Sequence, residues 1–597
     1  MKNIGELIDV EAGKHQLQGN RVTVGVSTCG ISAGAQPTLE KIQKADPAYL
    51  VDPVGCAGMC YNEPIVTVQT ENDFYVYALA REEHAEKIIS SLSERKPVEE
   101  LLVASSLGEI DFYAKQKRLI MENCGKTNPQ SIEQYAASGG FKGLGNALKT
   151  TPKNVIQQIK DAKLRGRGGA GFPTAVKWEF LAEKQGLKYL VCNGDEGDPG
   201  AFMNRTLLES DPFRVLEGMI IAAYATGCEK AFIYTRTEYP LAISTAQKAI
   251  KTLYEKKLLG EDILGVEGFT LDIKVMEGAG AFVCGEETAL MNSVEGKRGY
   301  PMPRPPYPAQ KGLWGHPTNI NNVGTLAHVT TIMSKGAEYY AQFGSVKSRG
   351  TKIICLAGKI NRPGVIEVPI GTPLKDIVYD IGGGVPEDTQ LKGVQSGGPA
   401  GGCIPARLMD TPLDYETLQE LGAIMGSGGL VVLNNQDCMV DVARYFMNFT
   451  RQESCGKCTP CREGTTRLLE LLEKITNGAA TKQDLRKIKK LSNFVVECSL
   501  CGLGQNAPNP ILSTMNYFWG EYEKHVNEKT CEAGVCRNMI NYKITEECVG
   551  CGNCARVCPV SAISGQLKEK HEINQKKCIK CGQCYENCAF SAIEKNA

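Results

Sequence analysis

The chain is poor in the residues on which hydrolytic chemistry and membrane insertion depend. It has only six histidines in 597 residues, and none stands in a nucleophile-and-base arrangement, which disfavours a hydrolase. No apolar run approaches the roughly 20 residues needed to cross a bilayer, and the first residues, MKNIGELIDVEAGK, lack the apolar core of a signal peptide. Lysine plus arginine equals aspartate plus glutamate at 67 each, so no net field favours nucleic acid or an anionic membrane. We expect a cytoplasmic protein with no nucleic-acid and no membrane partner.

Cysteine, in contrast, is abundant, and 25 of them in a reducing compartment indicate metal ligands rather than disulfides. The C-terminal region repeats the phrase Cys-x2-Cys-x2-Cys-x3-Cys. In this pattern three thiolates on one loop bind one [4Fe–4S] cluster and the fourth binds the other cluster. The alternative, a zinc or disulfide module, would need neither the x3 spacing nor the proline after it. The predicted ligand sets are Cys548, Cys551, Cys554 and Cys588 for one cluster, and Cys578, Cys581, Cys584 and Cys558 for the other.

Three glycine-rich passages occupy the middle of the chain. The first, Gly166-x-Gly168-Gly169-x-Gly171, can be written G-x-G-x-x-G, but a polar helical pattern precedes it where a Rossmann fold requires a strand. The second, NGDEGDPG at 193–200, interleaves acids with glycines and fits a loop that wraps a polar ring and a phosphate. Ordinary glycine turns remain the alternative for both passages.

A third glycine-rich passage, GAGAFVCGEETAL, lies at 278–290. With PRPPYP at 303–308, TNINNV at 318–323 and ESCGKCTPCREG at 453–464, the order of motifs resembles the NADH-binding flavoprotein subunit of respiratory complex I over about residues 150–515. The resemblance implies an FMN-binding fold distinct from Rossmann, a β-grasp insert and a four-helix bundle that holds a [4Fe–4S] cluster.

The same resemblance implies functional residues for FMN and NAD(H). Residues around FMN would be Gly166, Gly168, Gly169, Lys177, Asn193, Asp195, Glu196, Ile320, Asn321, Asn322 and Thr325, with Arg167, Phe282, Gly285 and Glu286 as further cofactor-binding positions. Those facing the dinucleotide would be Phe172, Phe180, Arg304, Tyr307 and the two catalytic acids Asp198 and Glu287. This chain departs from the family at four positions, with Phe282 in place of Tyr, Arg304 of Lys, Tyr307 of Phe and Gly324 of Glu.

Two more metal sites are expected, one in the bundle and one between the bundle and the ferredoxin repeat. The bundle loop has only one Cys-x2-Cys-x2-Cys, so a distant fourth thiolate is required. Cys498 and Cys501 are both candidates, and the resemblance favours the set Cys455, Cys458, Cys461 and Cys501. The remaining Cys498, His525, Cys531 and Cys536 would form a closed tetrahedral zinc site, with free buried cysteines as the alternative. The scattered cysteines, among them Cys438, are interpreted as small core residues.

The N-terminal region resembles the thioredoxin-like [2Fe–2S] ferredoxins by its β/α alternation and by Cys29, Cys56 and Cys60. That family uses four cysteines, and Gly34 occupies the position of the second one here. We expect this domain to bind a [2Fe–2S] cluster, with Ser32 as a conceivable replacement ligand. The alternative is a degenerate domain that has lost its cluster.

The predicted fold class is therefore multidomain α/β and α+β. The expected domains are a thioredoxin-like domain (1–95), a linking segment (96–148), an FMN- and NAD(H)-binding domain (149–349), a β-grasp domain (350–435), a helical bundle (436–520), a linker with the candidate zinc site (521–541) and a two-[4Fe–4S] ferredoxin domain (542–597).

FMN can accept two electrons together and release them singly, so the middle of the chain is expected to convert hydride into single electrons. The complete domain set resembles the flavin subunits of multimeric electron-bifurcating [FeFe]-hydrogenases. This resemblance implies NAD(H), ferredoxin, a hydrogenase catalytic subunit and a small thioredoxin-like [2Fe–2S] subunit as partners. The alternatives are the flavoprotein subunit of an NAD(P)-dependent formate dehydrogenase or NADP-reducing hydrogenase, and a non-catalytic electron relay.

Overall fold

The computed structural model describes residues 4–44, 49–94 and 96–596. The chain divides into two compact units. The first runs to Pro386 and adds the segments Gln395–Gly398 and Arg407–Val432; the second comprises Glu387–Val394, Pro399–Ala406 and the chain from Leu433 onward. No helix in the described part is long and apolar enough to cross a membrane.

The N-terminal domain is thioredoxin-like, as expected. Alternating apolar residues such as Val22 and Val24, both fully buried, place the central strand between layers of helices. The strand order is β2-β1-β3-β4-β5, with β1 and β2 parallel and the other pairs antiparallel. The elements are α1 (Val10–Gln18), β1 (Arg21–Gly25), α2 (Thr28–Ala33), α3 (Ala35–Gln43), β2 (Leu50–Val54), β3 (Val66–Gln69), β4 (Phe74–Tyr77), α4 (Ala85–Glu94) and β5 (Leu102–Ala104).

Residues 96–148, treated above as a linking segment, are integrated into the fold. They supply β5, which is the fifth strand of the sheet, and the helices α5 (Asp111–Ala114), α6 (Ile132–Ala137) and α7 (Lys142–Leu148). The backbone amides of Leu119, Ile120 and Met121 donate to the buried carboxylate of Glu367. Sequence periodicity misses this arrangement because its contacts join residues almost 250 positions apart.

The next region is built on a parallel four-stranded sheet with the order β8-β7-β6-β9. Because the strands are parallel, their carboxyl ends meet at one edge, where α/β proteins bind ligands. The elements are α8 (Pro152–Asp161), α9 (Thr174–Ala182), β6 (Tyr189–Gly194), α10 (Met203–Ser210), α11 (Pro212–Thr226), β7 (Lys230–Arg236), α12 (Pro240–Glu255), β8 (Asp272–Gly278), α13 (Glu287–Val294), β9 (Thr318–Asn322), α14 (Val323–Lys335) and α15 (Ala337–Ala341). A helix, α8, precedes the first glycine-rich loop, as its polar pattern predicts.

The β-grasp region begins with a β-hairpin. Its elements are β10 (Thr351–Gly358), β11 (Gly364–Pro369), β12 (Leu391–Ser396), β13 (Gly402–Pro405), α16 (Tyr415–Glu420) and β14 (Gly429–Asn434). β10 pairs with β11 in antiparallel register and with β14 in parallel register. Residues 376–381 form a π-helical turn that is followed by three consecutive glycines, 382–384.

The second unit contains the helical bundle and the ferredoxin domain. Four helices bury their apolar faces in one core: α17 (Met439–Glu453), α18 (Thr459–Thr476), α19 (Lys482–Cys498) and α21 (Asn509–Tyr517). The shorter α20 (Gly502–Asn506) and α22 (Trp519–Glu523) complete it. The ferredoxin domain has β15 (Asn541–Ile544), α23 (Asn553–Arg556), β16 (Ile563–Ser564), β17 (Glu572–Ile573), α24 (Gln583–Glu586) and β18 (Ile593–Asn596), with β15 paired to β18 and β16 to β17.

Candidate cofactor sites

The first glycine-rich loop is anchored by a side chain that the resemblance places near the cofactor. Arg167 is 3% exposed, and its guanidinium donates to the carbonyls of Arg165, Arg349 and Thr351. Its backbone N–H donates to the hydroxyl of Thr325 at 2.8 Å. These hydrogen bonds of Arg167 therefore attach the loop to the start of β10, which leaves the loop backbone available to line the cofactor site.

Two glycines of this loop meet the β-grasp region directly. Gly169 has φ +124°, and a Cβ there would lie 3.0 Å from the backbone of Gly426. Gly171 has φ +64°, and a Cβ there would lie 2.7 Å from the ring of Tyr415. A side chain at either position would strain the backbone and push these segments apart. The buried side-chain amine of Lys352 donates a hydrogen bond to the carbonyl of Arg167.

The acidic loop after β6 divides its carboxylates between structural and open positions. Glu196 accepts the N–H groups of Asn204 and Arg205 at 3.0 and 3.1 Å, so it caps α10. Asp195 differs, because both of its carboxylate oxygens are buried and neither has a hydrogen-bond partner among the described residues. Burial raises the pKa of Asp195 to about 8, although Arg236 opposes the shift. The Asp195 carboxylate faces Gly285, where a Cβ would lie 3.5 Å away.

The third glycine-rich passage presents two glutamates at the start of α13. Glu286 is the N-cap and accepts the N–H groups of Thr288 and Ala289, both at 2.9 Å. Glu287 pairs with Lys177 from α9 and lies 3.6 Å from Arg304. Lys177 also donates to the carbonyl of Ile320 at 2.8 Å. The pair thus links α9, β9 and α13 at the sheet edge, with the Glu287 side chain one-quarter exposed.

The residues at the end of β9 and the start of α14 are mostly structural. Asn321 accepts a hydrogen bond from the indole of Trp178 at 2.9 Å inside the core. Asn322 caps α14 by accepting the N–H of Gly324 at 2.9 Å, and it donates to Asn204 at 3.1 Å. Gly324 lies close to this cap, with a Cβ only 3.3 Å from the Asn322 oxygen. Glycine at 324 therefore suits the tight start of the helix.

Three aromatic side chains of the predicted dinucleotide site face solvent. Phe172, Phe180 and Tyr307 are 49%, 54% and 54% exposed. Exposed aromatic rings are favourable platforms for stacking a planar base. Asn193, at the end of β6, donates to the carbonyl of Gly285 at 3.0 Å and joins the second passage to the third.

The β-grasp region contributes residues that the sequence did not single out. Ser427 donates a short hydrogen bond to Asp198, and a Cβ at Gly398 would lie 2.7 Å from the Asp198 carboxyl carbon. Burial raises the pKa of Asp198 to about 6, and Ser427 partly offsets the shift. The glycine-rich runs at 396–398 and 426–429 were the available signal.

The residues at this edge fit a flavin. The glycine-rich loop has no side chains that would keep its backbone away from a bound ring. The buried oxygens of Asp195 have no hydrogen-bond donor among the described residues, and a ring N–H of a flavin could supply one. Arg236 has a buried Nη1 atom that likewise has no partner in the described chain. Two unpaired buried polar groups at a sheet edge are unusual unless a ligand satisfies them.

The four predicted bundle cysteines come together. Cys455 and Cys458 precede α18, Cys461 lies in its first turn, and Cys501 is the residue before α20. Burial raises the pKa of Cys461 to about 11, and the neighbouring thiols of Cys458, Cys501 and Cys455 add to the shift. The rival candidate Cys498 is exposed at the end of α19.

Each predicted set of ferredoxin cysteines lines a separate small cavity. One cavity is lined by Cys548, Cys551, Cys554 and Cys588. The other is lined by Cys558, Cys578, Cys581 and Cys584. The fourth cysteine of each repeat therefore crosses to the other set, as the spacing predicts.

The predicted zinc ligands require one correction. His525, Cys531 and Cys536 form a buried group with Cys438, and Cys498 is not part of it. The His525 Nε2 atom lies 3.4 Å from Cys438 Sγ and 3.4 Å from Cys536 Sγ. Tetrahedral zinc, with bonds of about 2.3 Å to sulfur and 2.0 Å to nitrogen, places such atoms about 3.5 Å apart. Cys438, interpreted above as a core residue, was missed because it lies 87 positions before His525.

The N-terminal cysteines also form a group. The sulfur atoms of Cys29, Cys56 and Cys60 all lie within 4.8 Å of one another. Ser32, the conceivable fourth ligand, is exposed on α2. The polar atoms beside Cys29 are instead the Ser27 hydroxyl at 3.0 Å and the Glu63 carboxylate at 3.7 Å. A [2Fe–2S] cluster bound by four cysteines does not fit these residues.

Comparison with known protein families agrees with this arrangement. The Nuo51 FMN-binding domain matches residues 159–331, and the SLBB domain matches 353–403. The iron-sulfur binding region of NADH-ubiquinone oxidoreductase-F matches 441–525, and a 4Fe-4S dicluster domain matches 540–589. The FMN-binding domain thus coincides with the parallel sheet and its glycine-rich edge.

Individual relatives extend over most of the chain. The NADP-reducing hydrogenase subunit HndC of Solidesulfovibrio fructosivorans is 51% identical over 459 residues, covering 76% of this chain and 93% of the relative. The F-type subunit of the NADH-quinone oxidoreductase of Aquifex aeolicus is 42% identical, covering 68% of this chain and 94% of the relative. A chain of an NAD+-reducing [NiFe]-hydrogenase, crystallised in the H2-reduced state, matches with a TM-score of 0.62 and 30% identity, covering 88% of this chain and 87% of that one. The chain therefore belongs to the family of NAD(P)-linked FMN flavoprotein subunits that includes HndC and the F-type subunits of NADH-quinone oxidoreductases.

Proposed function

We propose that the chain exchanges hydride between NAD(H) and FMN and passes the electrons singly through its Fe–S clusters to ferredoxin and a hydrogenase partner. FMN supplies the two-electron-to-one-electron conversion. The residues of the chain position the two ligands and exclude water. The observation that carries this proposal is the buried, unpartnered carboxylate of Asp195 at the edge where three glycine-rich segments meet.

The dinucleotide would enter over the exposed rings. Phe172, Phe180 and Tyr307 can stack on the adenine, while Glu287 and Arg304 lie where ribose hydroxyls and phosphates would need an acceptor and a cation. Lys177 holds the Glu287 carboxylate in place. Asp198 lies beside Ser427 of the β-grasp region.

Three [4Fe–4S] clusters would carry electrons away from the flavin. Their ligands are the bundle set, Cys455, Cys458, Cys461 and Cys501, and the two crossed ferredoxin sets described above. We further propose that the ferredoxin domain exchanges electrons with external ferredoxin and that the flavin bifurcates electrons between the two acceptors.

Flavin content tests the central step. The purified protein is expected to release non-covalent FMN on acid precipitation, close to one per chain, and NADH is expected to bleach its absorbance. Release of FAD, or of no flavin, would contradict the proposal. The absence of any flavin would also favour the alternative of a non-catalytic relay.

The identity of the partner separates the remaining alternatives. We propose an [FeFe]-hydrogenase catalytic subunit and a small thioredoxin-like [2Fe–2S] subunit. The 51% identity to a subunit named NADP-reducing hydrogenase supports a hydrogenase and leaves NADP as a second candidate dinucleotide. Purification of the tagged chain from its native cells identifies the partner, and co-purification of a formate dehydrogenase would sink the hydrogenase assignment. Comparing NADH with NADPH in the bleaching assay decides between the dinucleotides.

We also propose that Cys438, His525, Cys531 and Cys536 bind a structural zinc ion. Three thiolates and an imidazole complete a tetrahedron without an open position, which is typical of structural rather than catalytic zinc. The second ring nitrogen of His525 lies 2.7 Å from the carbonyl of Glu521, which orients the imidazole.

A further inference from the structure

The two cysteine-bearing loops of the ferredoxin domain carry opposite charge. The first loop, residues 546–551, reads Glu-Glu-Cys-Val-Gly-Cys, and the second loop, residues 576–581, reads Lys-Lys-Cys-Ile-Lys-Cys. Each loop supplies the first two cysteines of its repeat, so the positions of the two loops correspond one to one. Two ammonium groups in the second loop therefore stand where the first loop has two carboxylates, and a third lysine stands where the first loop has a glycine.

The surroundings of the first loop leave it negative. Glu546 forms an ion pair with Lys570 at 2.6 Å, and the N–H of Lys568 donates to the carbonyl of the loop glycine at 3.0 Å. The turn that contains these two lysines also contains Glu569. Together with Glu547, the group has more carboxylates than ammonium groups and keeps a net negative charge.

The second loop, in contrast, keeps its positive charge. Lys576 and Lys577 are exposed, and neither forms an ion pair with a carboxylate of the described chain. Lys580 donates to the carbonyl of Asn538 at 2.7 Å, and this neutral acceptor does not cancel its charge. Because lysine plus arginine balances aspartate plus glutamate over the whole chain, the positive surface is a local feature of this loop.

Apolar side chains reach the surface beside the second loop. Ile579 is 56% exposed and Val560 is 36% exposed, and both line the cavity of the ferredoxin ligand set that contains Cys578, here called the Cys578 set. A small apolar centre with a charged rim is typical of protein interfaces, in which apolar contact adds affinity and charge adds orientation. The second loop therefore has the composition of a docking surface directly over its cysteines.

Compensation of a bound cluster's charge does not explain the difference between the loops. A [4Fe–4S] cluster with four thiolates is anionic, and this charge belongs in any electrostatic account of the site. Both loops hold the same type of ligand, so both clusters would need the same compensation. The first loop has two glutamates at the positions where compensation would require cations.

We propose that the second loop is the docking surface for an acidic electron-carrier protein of the ferredoxin class. Opposite charges speed the encounter and orient the carrier on this loop, whereas the first loop repels it. One electron passes in each encounter, so the cluster of the Cys578 set is oxidised as the carrier is reduced, or the reverse, and no bond or proton is transferred. The inference rests on the proposed exchange with external ferredoxin and adds to it the surface and the cluster that are used.

The test measures binding of a purified acidic two-[4Fe–4S] ferredoxin, kept oxidised, to the full-length protein by calorimetric titration. Titrations are run at an ionic strength of about 0.01 M, where the Debye length is about 30 Å, and of about 1 M, where it is about 3 Å. Lys576→Glu/Lys577→Glu reverses two charges of the second loop. Lys543→Glu/Lys568→Glu reverses two exposed lysines elsewhere in the domain and is the matched control.

The wild type is expected to bind ferredoxin at the lower ionic strength and to lose most of this affinity at the higher one. Lys576→Glu/Lys577→Glu should raise the dissociation constant at least about 10-fold, and the control should raise it much less, because exposed charges interact mainly with close partners. Lys576→Gln/Lys577→Gln should give an intermediate dissociation constant with wild-type iron content, which separates loss of charge from loss of a cluster.

No binding by the wild type, equal weakening in both charge-reversal variants, or stronger weakening in the control would overturn the docking surface. An unchanged dissociation constant in Lys576→Glu/Lys577→Glu would overturn it as well. Bleaching of FMN by NADH, measured on the same preparation, tests the proposed function separately. Bleaching without ferredoxin binding would refute only the docking surface, and the expected binding pattern without bleaching would support it while refuting the flavin step.

Discussion

The Nε2 atom of His525 lies 3.4 Å from the sulfur of Cys438, although 87 positions separate the two residues in the chain. Both side chains are buried together with Cys531 and Cys536. Cys438 is the residue before α17, so this group ties the start of the bundle to its end. A zinc ion bound by this group would therefore stabilise the helical bundle by joining its first helix to the segment that follows its last helix.

Substitution of these ligands tests the zinc site. Cys438→Ala and His525→Ala are each expected to remove one zinc per chain, since three ligands hold zinc much less tightly than four. Iron content should be unchanged. Cys498→Ala, at the exposed position first assigned to the site, is the matched control and should retain zinc. Elemental analysis decides, and the opposite pattern, with zinc lost only from Cys498→Ala, would restore the original assignment.

Glu287 is expected to govern use of the dinucleotide. Glu287→Gln removes the charge that pairs with Lys177 and lies near Arg304. Loss of one charged hydrogen-bond partner costs about 1.5–3 kcal/mol, which corresponds to roughly a 10- to 150-fold fall in kcat/KM for NADH dye reduction. FMN and iron content should stay at wild-type levels. Glu277→Gln, exposed on β8, is the control, and an equal loss there would show that the effect is not specific.

Asp195 predicts a pH-dependent stability of the flavin-free protein. Burial raises its pKa from 3.8 to about 8, so the folded chain holds a proton that the unfolded chain has released between these values. Stability attributable to this group therefore falls as pH rises from about 4 to 8. Asp195→Asn cannot ionise, so its advantage in thermal midpoint over the wild type should grow across that window. A midpoint difference that is constant with pH would refute the assignment.

FMN binding is expected to respond in the opposite direction. Both oxygens of the Asp195 carboxyl group can accept a hydrogen bond, whereas in Asp195→Asn only the amide oxygen can. Retention of FMN after dilution and filtration should therefore fall below that of the wild type. Full retention would show that the unpartnered oxygens of Asp195 do not meet the flavin.

The ferredoxin domain can be removed to test the order of electron transfer. A chain that ends at Met539 keeps the zinc ligand Cys536 and lacks β15 through β18. NADH reduction of an artificial dye should be nearly unchanged, because FMN and the bundle cluster remain. Electron exchange with ferredoxin should be lost. Loss of dye reduction with FMN still bound would place the terminal clusters between NADH and flavin, and persistent ferredoxin exchange would make another cluster the exit.

Local patterns predicted much of this architecture. The repeated cysteine spacing gave the crossed pairs of the ferredoxin domain, because each ligand triplet lies on one loop whose span is set by the chain itself. Helix α8 before the first glycine-rich loop followed from its polar periodicity, and it excluded a Rossmann fold. The absence of a membrane helix from the described part followed from the lack of long apolar runs.

The roles of individual residues in the cofactor site were harder to predict from the sequence. Arg167, Glu196 and Asn321 lie in cofactor motifs, yet their side chains anchor a loop, cap a helix and bond a tryptophan. A motif states which residues recur near a site, but it does not state which atom points toward the ligand. That depends on the partners each side chain finds, and Asp195 stands out only because it finds none.

The sequence by itself therefore determined the ligand triplets, the glycine-rich loops and the order of the domains, all of which depend on spacing between residues close in the chain. Only the tertiary structure decided which distant side chains join a group of candidate metal ligands. It brought Cys438 to His525, and it left Cys498 and Ser32 exposed. The physical reason is that a fourth ligand is selected by the packing of helices and strands, which contiguous spacing does not encode.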